Sequence, residues 1–363
     1  MAYDSAAPNR HGPVRDWAAD WDWLDDDWGR RAPEIWQELR ESGCPMAFTE
    51  RYGRAWMPLH HDTVSQVAHD TEHFSSFRVS VSLPDSPIRK APPITLDPPE
   101  HQPYRRLLLP PFNAGRIAAM EEPTRDYCRS LIAQLDGRDE ADAAKEYAQH
   151  IPVHVIAEMI GVPESDAEVF RDWVHRNFQE APRDNAAKLQ LQAEMAAYFD
   201  ALLAERAQDP RDDLATLVGT AEVDGRPLTN EEQVGYLILL ILAGIDTTWS
   251  GIGAALWHLA AHDQDRARLV ADPGLLPTAI EEFLRAYSPV TMAREVVKEK
   301  TVGGCPFKEG GQVLLSFPAA NRDPAVFKDA DRVLIDRAEN PHAAFGLGRH
   351  RCLGSNLARM EMT

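Results

Sequence analysis

The chain has 363 residues, enough for one large domain or two ordinary ones, and 44% of them are hydrophobic, which supports a sizeable core. With 57 acidic residues against 38 basic ones the net charge is −19, which argues against nucleic acid or an anionic membrane as a partner. Four widely separated cysteines (Cys44, Cys128, Cys305 and Cys352) show no paired spacing, which argues against a disulfide framework or a zinc site and for a reducing compartment. Met1 to Ser5 carries no basic region leading into an apolar one, so no signal peptide is visible. The longest apolar run, Val234 to Ile245, has twelve residues, too short to span a bilayer. These features predict a soluble cytoplasmic protein.

Residues 1 to about 30 are polar and acidic, with Trp17, Trp21, Trp23 and Trp28 set among aspartates; they read as an arm that packs its tryptophans on the body. Pro33 to Glu41 reads helical. Met46 to Leu59 reads as a hairpin around Arg51-Tyr52-Gly53-Arg54, and Thr63 to His69 as a short helix. Phe74 to Thr95 is irregular and proline-rich, and a loop this long in a compact domain is usually either functional or disordered.

Asp97-Pro98-Pro99-Glu100-His101 reads as a helix start, with Asp97 as N-cap and the prolines in the first turn. His101 and Arg105 are four apart and share a face, with Leu108 and Leu109 close to it. Spacing alone would make this a solvated basic face. Ile117 to Leu135, Ile151 to Ile160 and Leu189 to Leu203 are helical by periodicity. Val169 to Pro182, with Trp173 and Phe178, continues this mostly helical stretch up to the Pro182 break.

Thr229-Asn230-Glu231-Glu232 is a capping-box start for a helix that runs to about His262. At ~1.5 Å per residue it would span roughly 50 Å and cross the whole domain. It is apolar on nearly all sides, yet it contains Ala243-Gly244-Ile245-Asp246-Thr247-Thr248. An acid and two threonines are costly in such a helix unless paired or useful. Taken alone, Thr247 would bond back to the Ala243 carbonyl, a contact that bends helices. Further on, Glu282 and Arg285 are three apart on one helix face and can pair, and Pro289 ends that helix. Thr301 to Phe317 reads as a hairpin with glycine turns at Gly303-Gly304 and Gly310-Gly311.

Phe345-Gly346-Leu347-Gly348-Arg349-His350-Arg351-Cys352-Leu353-Gly354 is a glycine-punctuated loop that leads at once into a helical pattern. Its glycines allow tight turns and close approach to a flat ligand. Cys352 just precedes the helix start, where amide N–H groups and the helix dipole favour a thiolate.

This loop resembles the haem-thiolate signature of the cytochrome P450 monooxygenases, Phe-Gly-x-Gly-x-x-x-Cys-x-Gly, at every fixed position. Three other phrases are similar to the family's wording: Asp97-Pro98-Pro99-Glu100-His101-x-x-x-Arg105, Ala243-Gly244-x-Asp246-Thr247, and Glu282-x-x-Arg285 followed by Ser288-Pro289. The resemblance extends from about Met46 to the end of the chain. It implies a mainly α fold with a small β portion near the N-terminus, the triangular haem-thiolate fold, as a single domain over residues 1–363. It implies haem b (heme b, iron protoporphyrin IX) as cofactor, with Cys352 as the iron ligand. Phe345, Gly346 and Gly354 would shape the loop, and His101, Arg105, Arg294 and His350 would hold the propionates.

By the same resemblance Thr247 would hydrogen-bond the activated oxygen and Asp246 would relay protons to it. Glu282 and Arg285, with Arg337, would form a buried scaffold pair. Ile241, Ala243, Gly244, Val290, Thr291, Met292 and Ala293 would line an apolar substrate pocket. The implied activity is O2-dependent hydroxylation or O/S-dealkylation of a small hydrophobic molecule. Electrons would come from an NAD(P)H-driven donor, a ferredoxin or a flavin/iron–sulfur reductase, separate or fused, which a basic patch of Arg349, Arg351 and Arg359 would dock. A peroxide-driven peroxygenase and a non-catalytic haem carrier are the alternatives, and the acid–alcohol pair argues against both. Family members continue past the point where this chain stops, which suggests that further residues follow Thr363.

Overall fold

The computed structural model describes residues 11–43 and 45–363, so Cys44 and the first residues lie outside the described part. In chain order the elements are α1 (Asp26–Glu41), β1 (Met46–Thr49), β2 (Ala55–Pro58), α2 (His61–His69), β3 (Phe74–Ser75), α3 (His101–Leu108), α4 (Ala114–Ala133), α5 (His150–Ile160), α6 (Ala167–His175), α7 (Asn185–Gln208), α8 (Leu214–Gly219), β4 (Glu222–Val223) and β5 (Arg226–Pro227). They continue as α9 (Asn230–Ala261), α10 (Asp263–Ala271), α11 (Leu276–Ala286), β6 (Thr291–Val296), β7 (Lys300–Val302), β8 (Cys305–Phe307), β9 (Gln312–Ser316), α12 (Phe317–Ala320) and α13 (Ser355–Met362). The architecture is mainly helical.

The capping box at Thr229 forms as its sequence predicts: Thr229 Oγ1 accepts from Glu232 N, and Glu232 accepts in return from Thr229 N at 2.8 Å. From that cap α9 runs 32 residues. By length and composition it could cross a membrane, a property that the twelve-residue run alone did not convey. Here it is the central strut of the core, packed by α5, α6, α7, α8, α10, α11 and α13. Burying its apolar circumference, not its intrinsic propensity, holds so long a helix in place.

The sheet differs from the expectation. Its order is β1-β2-β9-β6-β3, so it joins N-terminal strands to strands about 250 residues later and is not a feature of the N-terminus alone. The hairpin β1–β2 is present, but Gly310-Gly311 does not turn a second hairpin: β7 pairs with β8, while β9 leaves to pair with β6 antiparallel and β2 parallel. The tryptophan arm packs as read. Trp21 is fully buried with Ile35, Tyr52 and Met57, and the Trp23 indole donates to Val81 O at 3.1 Å.

Asp97 does not cap a helix. Helix α3 starts at His101, and the Asp97 carboxylate instead accepts from Ser75 Oγ (2.5 Å) and Ser76 N (2.9 Å), which ties the long loop back to β3. Helix α3 is tied to α9 through Tyr104 Oη, which donates to Glu232 at 2.6 Å, and through Tyr236 Oη, which donates to the Tyr104 carbonyl at 2.7 Å. These bonds fix the rotation of α3 and so the direction of His101 and Arg105.

Candidate active site

The cysteine loop is closed by Cys352 N, which donates to the Phe345 carbonyl at 2.7 Å, and by Gly346 N, which donates to Ala343 O at 2.8 Å. Gly348 has φ +69°, and a Cβ there would stand 2.5 Å from the Ala68 carbonyl, so both conformation and space require glycine. Arg359, on the first turns of α13, stacks over the Phe345 ring at 4.5 Å and binds Glu281 at 2.5 Å. It is therefore a structural brace, unlike the exposed Arg349 and Arg351.

Cys352 is exposed on one side, with protein crowded around the rest of it. Burial pushes its thiol pKa up, while the Gly354 amide and the Arg105, Arg351 and Arg359 guanidinium groups pull it down. Arg105 Nη2 donates to the Arg351 carbonyl at 2.6 Å, which sets α3 directly against the loop.

Next to the cysteine lies a cluster of donors without an anion. The His101 and His350 rings are 4.3 Å apart, and the Nε2 atoms of both are buried without a partner. Arg294 is 3% exposed, and its Nη1 reaches only a neighbouring main-chain oxygen, Ala293 O at 2.7 Å. Burial lowers the Arg294 pKa to about 10. Burial likewise lowers His350 to about 3, with Arg294, His101 and Arg105 adding to the effect. Such a set is costly without a counter-ion. The two carboxylates of a haem would supply one, so the chemistry of the donors fits that group.

Opposite in character is α9, whose core-packed circumference is broken by a stripe of incompletely buried residues: Leu239, Leu242, Ala243, Asp246, Thr247 and Ser250. Their three- and four-residue spacing is that of one helix face. Thr247 Oγ1 donates to Ala243 O at 2.9 Å, the back-bond that spacing alone predicts. Burial pushes Asp246 up to about 6, partly offset by a hydrogen bond from Trp249.

The other expected residues divide. Ala243, Val290 and Met292 are partly open, whereas Ile241 is fully buried in the core and Gly244 lies against Ile156, where a Cβ would meet the side chain at 3.2 Å. Ala293 points away, packed with Trp21 and Leu314, because β6 alternates its faces and Met292 and Arg294 share the other one. Leu239 and Leu242, seven and four residues before Asp246, share its incompletely buried face. Glu282 and Arg285 are both fully buried and paired at 2.8 Å, with Arg337 Nε on Glu282 at 2.9 Å.

Sequence and fold comparisons agree with this geometry. The cytochrome P450 family model matches residues 266–363. A putative cytochrome P450, YjiB, of Bacillus subtilis (strain 168) is 32% identical over 341 residues, covering 91% of this chain and 84% of that protein. This chain belongs to the cytochrome P450 family. The mycinamicin IV hydroxylase/epoxidase of Micromonospora griseorubida is also 32% identical, covering 90% of this chain and 84% of its own. The crystal structure of CYP109E1 from Bacillus megaterium in complex with testosterone superposes with a TM-score of 0.84 at 31% identity, covering 92% of this chain and 87% of that one. The protein is thus an oxidoreductase with the cytochrome P450 fold and monooxygenase chemistry, and a haem-iron cofactor follows from the family.

Proposed function

We propose that this P450 is a cytoplasmic, single-domain enzyme that binds haem b and oxygenates a hydrophobic substrate by hydroxylation or O/S-dealkylation. Electrons come from an NAD(P)H-driven partner, a ferredoxin or a flavin/iron–sulfur reductase. The observation that carries the reading is the pairing of a cysteine loop with a donor cluster that lacks its anion. Cys352 would hold the iron and Gly354 N–H would steady the sulfur. His101, Arg105, Arg294 and His350 would hold the propionates.

Thiolate-bound haem supplies the cleavage of O2 and the transfer of one oxygen atom. The residues of this chain do the rest. Leu239, Leu242 and Ala243 give the substrate an apolar wall and exclude water. The Asp246 carboxyl, raised by burial to about 6, takes up and gives up its proton close to neutral pH, and Thr247 Oγ1, held by Ala243 O, fixes where that proton is delivered. The exposed guanidinium groups of Arg349 and Arg351 offer an acidic donor a docking point on a protein of net charge −19.

The acid–alcohol pair on the open stripe favours O2 over peroxide as the oxidant and a turning-over enzyme over a haem carrier. The test is product formation by Asp246→Asn with NAD(P)H, O2 and a reductase, compared with the same variant given hydrogen peroxide. Loss in the first assay alone supports this reading, and equal activity of variant and wild type in both refutes it.

A further inference from the structure

Two adjacent glutamates on α11 hold different arginines. Glu282 binds Arg285 and Arg337, the scaffold pair. Glu281 faces the cysteine loop instead. Its Oε1 accepts from Arg359 Nε at 2.5 Å, and its Oε2 accepts from Arg359 Nη2 at 2.8 Å and from His342 Nε2 at 2.9 Å. Ala344 N donates to His342 Nδ1 at 3.2 Å, so the ring proton sits on Nε2 and points at Glu281. Asn340 Nδ2 donates to Glu282 at 3.2 Å. The segment that leads into Phe345 is therefore tied to α11 at both glutamates.

This arrangement fixes one positive charge beside Cys352. The Arg359 guanidinium lies 4.5 Å from the centre of the Phe345 ring, and Phe345 O accepts from Cys352 N at 2.7 Å. The remaining guanidinium nitrogen, Nη1, reaches back to Ser355 O at 3.3 Å, at the start of α13 and three residues beyond Cys352. Nε and Nη2 face Glu281, so the cation stands between that carboxylate and the loop.

Three guanidinium groups act on the Cys352 sulfur, those of Arg105, Arg351 and Arg359. Arg351 is exposed, and Arg105 bonds a main-chain oxygen. Among the described residues, Arg359 alone of the three is paired with a carboxylate. Burial opposes the charge on Glu281, but the hydrogen bonds from Arg359 and His342 prevail and lower its pKa to about 2, so it is a carboxylate at neutral pH.

We propose that Glu281 is a positioning residue for the cysteine site: it holds Arg359 flat on Phe345, and the charge held there sets how readily the iron is reduced. The proposal rests on the P450 reading, in which Cys352 holds the iron. Reduction adds one negative charge to the site, and a cation close by favours it. The Glu281 carboxylate, on the far side of that cation, offsets part of the effect. Neutralising one member or the other therefore moves the potential in opposite directions. A brace without an electrostatic role gives no such change of sign.

The reduction potential of the haem-loaded protein, read by spectroelectrochemical titration, tests it. Arg359→Met should lower the potential and Glu281→Gln should raise it, each by roughly tenfold in the one-electron equilibrium constant, which is about 59 mV. Arg359→Lys keeps the charge but loses the fork, and should stay closer to wild type than Arg359→Met. The double variant should return towards wild type, as two opposed charges require. Shifts of the same sign in Glu281→Gln and Arg359→Met, or no shift in either, would overturn the proposal and leave Glu281 a brace alone. Where Arg359→Met fails to take up haem, the sign for Glu281→Gln decides: a rise supports the proposal, and a fall or no change overturns it. The carbon monoxide spectrum of the same reduced samples separates the two levels. A thiolate-type band with unmoved potentials refutes the role of Glu281 and leaves the P450 reading standing, whereas wild type without that band refutes both.

Discussion

His101 and His350 lie 249 residues apart in sequence, yet their rings face each other at 4.3 Å with both Nε2 atoms buried and unpartnered. Two unpartnered imidazole nitrogens, and a buried Arg294 whose Nη1 reaches only the Ala293 carbonyl, suit the proposed propionate site.

That relationship predicts opposite effects on the two forms of the protein. In Arg294→Met the haem-free protein should be at least as stable as wild type, because a desolvated charge is gone. Haem dissociation should be roughly 10- to 100-fold faster, because a charge-assisted bond is lost. Thermal melts of the haem-free form and haem transfer to a scavenger protein measure the two. A variant that lowers both stabilities equally would make Arg294 a scaffold residue.

Gly348→Ala places a methyl group 2.5 Å from the Ala68 carbonyl at φ +69°. The loop must shift, at a cost of about 1–3 kcal/mol for the backbone strain alone. Haem occupancy after expression should fall, while far-ultraviolet circular dichroism stays helical. Full occupancy would mean that α2 yields to the loop.

Asp246 carries the pH dependence. Burial raises its folded-state pKa to about 6, above the ordinary carboxylate value. The folded protein therefore binds a proton that the unfolded chain releases between about pH 4 and 6, and the stability that this proton lends is lost as pH rises through that window. Asp246→Asn should stabilise the haem-free protein at pH 7 by on the order of 1–3 kcal/mol and flatten the slope of melting temperature against pH between about pH 4 and 6. The same variant should slow O2-dependent turnover by roughly 10²-fold and remove a falling limb of the pH–rate profile near pH 6. An unchanged profile would place proton delivery elsewhere.

Glu282 holds Arg285 and Arg337 and also accepts from Leu334 N at 2.8 Å. Glu282→Gln leaves Arg285 buried without its charge partner, which costs about 3–5 kcal/mol. Soluble, haem-loaded protein should be nearly absent on expression, and a well-folded variant would contradict the buried-pair account.

Features set by local chemistry were legible in the sequence: the α9 cap at Thr229, the β1–β2 hairpin and the cysteine loop, each written within about ten consecutive residues. What depended on distant partners was not. Strand β9 joins β2 and β6 rather than β8, and no local signal around Gly310-Gly311 tells a hairpin turn from a strand crossing to another sheet. Ala293 was expected to line a pocket together with Val290 and Met292, but the pleat turns it to the face opposite Met292, against Trp21 and Leu314. An all-apolar helix does not reveal which of its faces is left open, so the sequence does not tell the fully buried Ile241 from the partly exposed Leu239. Asp97 resembled a cap because its partners, Ser75 and Ser76, lie more than twenty residues back.

The most direct test of the central claim is the absorption spectrum of the dithionite-reduced, haem-loaded protein under carbon monoxide. A strongly red-shifted Soret band that disappears in Cys352→His, with haem retained and oxygen insertion lost, is the predicted result. A Soret band at the ordinary histidine-haem position in wild type, or NAD(P)H-coupled product formation that survives in Cys352→His, would contradict the assignment of Cys352 as the iron ligand.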